Sequence, residues 1–276
     1  MLSSIIFSRD RASQLHLLLD SLSKNFFLSG TNVIYKYTDE EHKLGYEMVQ
    51  KSFPGYEGVN WVREEDFQKD TLDTVDKSEN LVCFFTDDDI FYRPSHVGRD
   101  DIKELFDSVE NIGCLSFRLG ENTTIQDQYT GQVCVTPKKV AIYKDNFFVW
   151  DWKNYTGMLS NFYYPFSVDG HVYRKTEIQQ LLSKYQFSNP NNLEGDGTNH
   201  TKVLPPYICC LQHSCVVNIP INIAGDSKNR AGEKFGISLK DMNRRYIDGE
   251  TISLESIDFS NVVGCHQELE IFPNAN

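Results

Sequence analysis

The chain has 276 residues, of which 40% are hydrophobic, 24% charged and 13% aromatic, a mix that builds a sizeable core and excludes disorder and fibrous repeats. Lys and Arg number 27 against 39 Asp and Glu, a net charge of −12 with no basic run, so no nucleic-acid partner is expected. Phosphate-bearing small molecules stay compatible, because a few arginines or one divalent cation reverse the sign locally.

The opening Ile5-Ile6-Phe7 run is too short for a signal-peptide core and meets charge at Arg9-Asp10, so residues 3–8 predict a first strand. Leucines at 15, 18, 19 and 22 predict an amphipathic helix over 11–24. Residues 32–37 predict a second strand ending at Thr38-Asp39, and residues 40–52 a helix stopped by Pro54-Gly55. A third strand follows at 59–63, then a polar segment over 64–77. Leu81-Val82-Cys83-Phe84-Phe85 is unbroken apolar sequence, the pattern of a strand buried on both faces. Strands alternating with helices predict an α/β fold with a mostly parallel central sheet flanked by helices.

A helix near 100–109 and a strand at 112–117 lead into a less regular, aromatic-rich α+β half, with strands near 132–136 and 140–143. The densest loop signal is 189–197, followed by 225–236, and either suits a mobile lid. No internal repeat or low-complexity tract is present, and no stretch approaches the roughly eighteen apolar residues that span a bilayer. Seven cysteines, an odd number at irregular spacing, read as reduced thiols of a cytosolic-type compartment. Without a secretion signal, the sequons at Asn122, Asn154 and Asn199 read as chance matches.

Thr86-Asp87-Asp88-Asp89 follows directly on the buried run, at the carboxyl end of a strand, where open α/β sheets bind ligands. In an extended chain Asp87 and Asp89 point to one side and Asp88 to the other. Such carboxylates repel one another unless a cation joins them, and one or two carboxylates completed by water and phosphate oxygens is how Mg²⁺ or Mn²⁺ is held. An acidic turn capping a helix is the structural alternative; the buried strand before it favours a ligand site.

From Phe84-Phe85-Thr86-Asp87-Asp88-Asp89 the sequence resembles the GT-A glycosyltransferases, nucleotide-sugar enzymes whose DXD motif closes a strand and holds a divalent metal on the diphosphate. The opening Ile5-Ile6-Phe7-Ser8-Arg9-Asp10-Arg11 is similar to that family's first strand and nucleotide loop, and Thr38-Asp39 lies where these enzymes often contact base or ribose. The resemblance implies one GT-A domain over 1–276, with a nucleotide-sugar half at 1–120 and an acceptor half at 121–276. It implies donor contacts from Ser8, Arg9, Arg11, Asp39, Asp87 and Asp88, and a Mn²⁺ or Mg²⁺ ion on Asp87, Asp89 and His266, the last in Gly264-Cys265-His266.

Val168-Asp169-Gly170-His171 and a helix over 175–184 look like the acceptor-side strand and helix of the same family. Leu193-Glu194-Gly195-Asp196 falls where many inverting members carry a Glu-Asp pair, but glycine separates the acids here. The resemblance thus leaves the general base on Glu194, Asp196 or Asp169, with Glu194 first and Asp169 second, and an Asx-rich turn as the structural alternative. Cys209, Cys210, His213 and Cys215 lack the second pair of a zinc site and read as core. The aromatics of 147–155 and 162–166 read mostly as core, with Trp150 or Trp152 offered to an acceptor.

What the resemblance implies in function is transfer of a sugar from a nucleotide-diphosphate sugar, UDP favoured, to a saccharide hydroxyl, inverting if a carboxylate acts as base. A retaining enzyme would need no base. A sugar-phosphate nucleotidyltransferase is the alternative, although Phe7-Ser8-Arg9-Asp10-Arg11-Ala12 lacks the glycines of that class; an inactive carbohydrate-binding protein of the same fold is another. A metal-dependent phosphatase or nuclease would need a second acidic motif that the chain lacks. The expected setting is the cytoplasm of a bacterium, or of a phage- or virus-infected host.

Overall fold

The computed structural model describes residues 2–53, 58–138, 141–144, 146–155, 160–225 and 230–272. In chain order, β1 (Leu2–Arg9), α1 (Ala12–Asn25), β2 (Thr31–Lys36), α2 (Glu40–Ser52), β3 (Val59–Arg63), α3 (Phe67–Lys77) and β4 (Leu81–Thr86) alternate strictly. Then come β5 (Asp89–Phe91), α4 (Arg99–Ser108), β6 (Ile112–Ser116), β7 (Ile125–Asp127), β8 (Gln132–Val133), β9 (Ala141–Tyr143) and β10 (Phe147–Asp151). The chain continues through β11 (His171–Arg174), α5 (Lys175–Leu182), α6 (Pro190–Gly197), β12 (Tyr207–Leu211), β13 (Val216–Asn218) and α7 (Leu239–Ile247).

Among the described residues nine strands form one sheet in the order β3-β2-β1-β4-β11-β6-β12-β10-β9. β3, β2, β1 and β4 are mutually parallel, β11 is antiparallel to both its neighbours, and β12 is parallel to β6. All strands but β11 and β10 therefore run one way, so the α/β class with a mainly parallel sheet between helices holds. β1 is buried along its length except at Arg9. Its pleat sends Ile6 to one face, with Leu15, Leu18, Leu22 and Phe85, and Ile5 and Phe7 to the other, with Phe84, Phe67 and Tyr173. A third cluster, including Ile90, Val217, Ile219 and Met242, lies under β5 and β13. Among the described residues no helix is long and apolar enough to cross a membrane.

Two segments differ from the sequence expectation, each for a physical reason. The polar stretch 64–77 contains α3, whose buried stripe is Phe67, Thr71, Thr74 and Val75. The threonines hide the apolar period, and their hydroxyls donate back to the carbonyls of Phe67 and Asp70. The stretch 189–197, expected as a loop, is the helix α6. Asn189 caps it by accepting the Asn192 N–H at 2.9 Å, and Pro190 occupies its first turn. Leu193 anchors it in the core, Tyr185 Oη donates to the Leu193 carbonyl at 2.6 Å, and a Cβ on Gly197 would lie 2.6 Å from both the Phe166 ring and Tyr185 Oη.

Smaller shifts concern ends. The strand expected at 132–136 is only β8, exposed and paired with β7. Val140, expected to begin a strand, and the helix stop at Pro54-Gly55 lie outside the described residues, as do 226–229 of the second loop. All seven cysteines are free and buried.

Asn189→Ala is expected to destabilise the protein by about 1 kcal/mol, the usual worth of an N-cap. Urea unfolding measures it, and an unchanged midpoint would mean that packing alone holds α6.

Candidate functional site

The topology brings distant residues to one place. Because β11 runs antiparallel to β4 with His171 opposite Phe84, the residues before β11 extend past the end of β4. Gly170, at φ 68, donates its N–H to the Phe84 carbonyl at 2.8 Å, and Asp169 then receives the Thr86 hydroxyl at 3.0 Å. β5 pairs with β13 so that Asn218 lies opposite Asp89, and an isolated bridge from Asn218 to His266 draws in the C-terminal segment.

These elements surround a cavity of about 690 Å³ whose wall includes Ser8, Arg9, Arg11, Asp87, Asp88, Asp169, Glu194, Asn218, Asn222 and His266. The chain turns at Asp87 and Asp88. The premise of an extended run therefore fails there: Asp87 and Asp88 share one guanidinium instead of pointing apart. Arg11 Nη1 donates to Asp87 Oδ1 at 3.0 Å and to Asp88 Oδ2 at 2.9 Å, and Nη2 donates to the Asn222 carbonyl. The Arg9 N–H takes the other oxygen of Asp87 at 3.1 Å. Between the arginines, Asp10 adopts φ 58, a region unfavourable for a side-chain-bearing residue, pinned by the Thr38 N–H on its carboxylate at 2.8 Å.

Asn218 Nδ2 bridges Asp88 Oδ1 at 2.9 Å and Asp89 Oδ1 at 3.2 Å, while Thr86 N–H holds Asp89 Oδ2 at 2.9 Å. Asp169 Oδ2 meets Arg118 Nη1 at 3.1 Å and His266 Nε2 at 3.2 Å. Burial pushes Asp87 up to about 6 despite the pull of Arg11. It lifts Asp89 far above the carboxylate range, with Asp169 and Asp88 adding repulsion. Burial opposes the charge on Asp169 too, but His266, Arg118 and Thr86 outweigh it and hold Asp169 down to about 2. Glu194, on α6, is pushed up to about 7 by burial and by the Asp169 charge.

The structure thus brings Ser8, Arg9, Arg11, Asp87, Asp88, Asp169, Glu194 and His266 to one cavity, with Asp89 directly beneath. It does not bring Asp39, expected at the base or ribose. Asp39 caps α2, accepting the N–H and Nδ1 of His42, both at 2.8 Å, and the cavity wall at the end of β2 is Lys36, paired with Glu64 at 2.8 Å. Asp196 is exposed on α6 outside the wall. Trp150 and Trp152 are core rather than acceptor residues, their indole N–H groups donating to the carbonyls of Phe162 and Pro205. Asp87, Asp89 and His266 do not converge: Asp87 is committed to Arg9 and Arg11, Asp89 is fully buried, and His266 rests on Asp169.

Among the described residues no three His, Cys, Asp or Glu side chains form a ready metal cluster. The donor set nonetheless suits a hard cation. Asp88 lines the cavity with Asp89 beneath it, and a cation there would replace the Asn218 amide N–H that now bridges their carboxylates; Mg²⁺ or Mn²⁺ needs only one or two carboxylates when phosphate oxygens complete its shell. Sequence reasoning missed Arg118, whose one signal is a lone charge in Ser116-Phe117-Arg118-Leu119, and missed Asn218 and Asn222, which carry none.

No protein-family model matches the chain. A curated relative, the bifunctional glycosyltransferase pgtA of Dictyostelium discoideum, is 24% identical over 283 aligned residues, 91% of this chain and 36% of that protein. The chain thus spans about a third of that relative's length. Among solved structures, TarS of S. aureus matches at TM-score 0.46 and 15% identity, over 78% of this chain and 36% of that one. A cytidylyltransferase from Leptospira borgpetersenii matches at TM-score 0.39 and 12% identity, over 74% and 73%. In sequence, the chain is glycosyltransferase-like.

Two outcomes follow from the charges. Arg11→Met leaves buried Asp87 and half-buried Asp88 without their cation, and a loss on the order of 3–5 kcal/mol is expected near pH 8, shrinking near pH 5 as Asp87 takes up a proton. Urea unfolding at both pH values reads it; equal losses would assign Arg11 a packing role. Asp87 and Glu194, raised to about 6 and about 7, bind protons more readily folded than unfolded, so their stability is present at low pH and lost as pH rises from about 4.5 through 7. Melting temperature should fall over that window, and Glu194→Gln should flatten the fall. An unchanged slope would remove Glu194 as its source.

Proposed function

We propose that this chain is a metal-dependent glycosyltransferase that moves a sugar from a nucleotide-diphosphate sugar, UDP favoured, to the hydroxyl of a saccharide acceptor. The observation that carries the reading is geometric: Asp169 and Glu194 line one cavity with the strand-end acids Asp87 and Asp88. Asp169 is held ionised at about 2 and Glu194 is raised to about 7. A general base works best when its pKa lies near the working pH, so Glu194 is the acid that takes the acceptor proton as its oxygen attacks the anomeric carbon. Asp169, clamped by Arg118, His266 and Thr86, is too weak a base for that step and orients the sugar. A base so placed favours inversion.

Arg9 lines the cavity with its side chain 44% exposed, its Nε 3.8 Å from Asp10 Oδ2, and its guanidinium would meet a nucleotide or its phosphates, whereas Arg11 is spent on Asp87 and Asp88. Asp88 and Asp89 would hold Mn²⁺ or Mg²⁺, with Asp87 kept in register by Arg11. That ion, when bound, supplies charge to the departing diphosphate. The similarity to a protein named a glycosyltransferase supports the reading, as does the strand-end position of the acids.

The test is a panel of UDP, GDP, dTDP and CMP sugars with and without Mn²⁺, followed by melting temperature, donor hydrolysis and transfer to saccharides. A metal-dependent rise with one nucleotide is expected, lost in Asp89→Ala. Glu194→Gln should keep the rise while kcat drops roughly 10²–10⁴-fold, and the wild-type rate should climb through about pH 7 to a plateau as Glu194 loses its proton. No rise with any donor would overturn the reading, and full activity in Glu194→Gln would move the base elsewhere.

A further inference from the structure

Another buried carboxylate lies just beyond the site. Glu268 is only 3% exposed. Its Oε1 accepts the N–H groups of Gly232 and Glu233, both at 3.1 Å, and the Tyr129 hydroxyl; its Oε2 accepts those of Lys234 and Phe235, both at 2.9 Å. Four successive backbone N–H groups around one carboxylate form an anion nest filled by the chain's own side chain. Gly232 makes it possible: it sits at φ +83, and a Cβ there would lie 2.6 Å from the Ile221 carbonyl.

The nest is laced to the cavity wall. The Gly232 N–H also meets the Pro220 carbonyl at 2.9 Å, and the Ile237 N–H meets that of Ile221 at 3.3 Å. Pro220, Asn222 and Ala231 line the cavity, and the Asn222 carbonyl receives the Arg11 guanidinium. Glu268 is itself fixed, its N–H donating to Gln128 Oε1 at 2.7 Å, while the Arg230 guanidinium lies 4.3 Å from the centre of the Tyr129 ring. Two residues earlier, His266 touches Asp169 at 3.2 Å.

We propose that Glu268 is a positioning residue for the donor-side wall: its carboxylate folds residues 232–235 into a nest, and through them sets residues 220–222 against Arg11. The proposal rests on reading this cavity as the nucleotide-sugar site. Only a carboxylate of this length serves. A glutamine would turn an amide NH₂ toward at least two N–H donors, and an aspartate falls one methylene short.

The test compares wild type with Glu268→Gln and Tyr129→Phe, the latter removing one bond to the carboxylate while leaving the nest intact. Trypsin cleavage after Arg230 and Lys234, followed by mass spectrometry, reports on the wall without reference to activity. Glu268→Gln should be cut at these sites at least about tenfold faster, with donor KM up about tenfold, kcat within about threefold and the pH profile unmoved. Tyr129→Phe should move cleavage and KM in the same direction by less. Unchanged cleavage, or a fall in kcat at constant KM, would overturn the proposal. If Glu268→Gln does not fold, Tyr129→Phe decides by the same two measurements. If wild type binds no donor, the nucleotide-sugar reading fails, and cleavage alone judges whether Glu268 holds the wall.

Discussion

Carboxylates packed together out of water must be neutralised, and that constraint organises this molecule. Asp87, Asp88, Asp89, Asp169 and Glu194 meet around one cavity with the buried Arg118 and the half-buried Arg11 among them. Two unit charges a few ångströms apart in a medium of low effective dielectric repel by several kcal/mol, so all five cannot ionise together. The structure divides the burden. Arg11 bridges Asp87 and Asp88, Arg118 and His266 serve Asp169, and Asp89 and Glu194 are left to favour their protonated forms. A cation entering this cluster competes with those protons, which ties its binding to pH.

The fold supplies the means. A purely parallel sheet would bring together only strand ends from neighbouring βα units. β11, inserted antiparallel between β4 and β6, carries Asp169 back past the end of β4, and the β5–β13 pair does the same for Asn218. The site therefore draws on residues 8–11, 86–89, 167–169, 194, 218–222 and 266, separated in sequence but gathered by register. Arg11 shows the consequence for stability: it ties the first loop of the chain to Asp88 and, through the Asn222 carbonyl, to a segment more than two hundred residues away.

What the sequence made legible was what local physics decides. The apolar runs of β1 and β4 announced a buried parallel sheet, the leucine period announced α1, and the aspartates directly after a buried strand marked the strand end where the cavity lies. Contacts fixed by long-range pairing left no such mark. Asn218 is an ordinary asparagine until β13 sets it opposite Asp89, and Glu268 an ordinary glutamate until residues 232–235 wrap it. The errors have physical causes as well. Threonines took apolar positions in α3 and blurred its period. Asparagine, proline and glycine in 189–197 read as a loop because the residues that begin a helix are also those that make turns; here Asn189 and Pro190 begin α6. Asp39 looked like a ligand contact and is a helix cap for the same reason: one carboxylate at a strand end serves either role, and only the direction of the following chain decides.

Asp169 and Glu194 make the general point in its sharpest form, since the same functional group behaves oppositely at two places in one cavity wall. Asp169 stands at a strand end where Arg118, His266 and the Thr86 hydroxyl all favour its anion. Glu194 stands on a short helix anchored by Leu193, where burial and the Asp169 charge both favour its acid. Neither behaviour is a property of the residue. Each is imposed by neighbours that the register of β11 and the capping of α6 deliver, and the two are linked, because the charge that Arg118 stabilises on Asp169 is the charge that raises Glu194. Burial raises the proton affinity of Glu194 and the ionised Asp169 raises it further, so the fold that holds one carboxylate as an anion helps prepare the other to accept a proton.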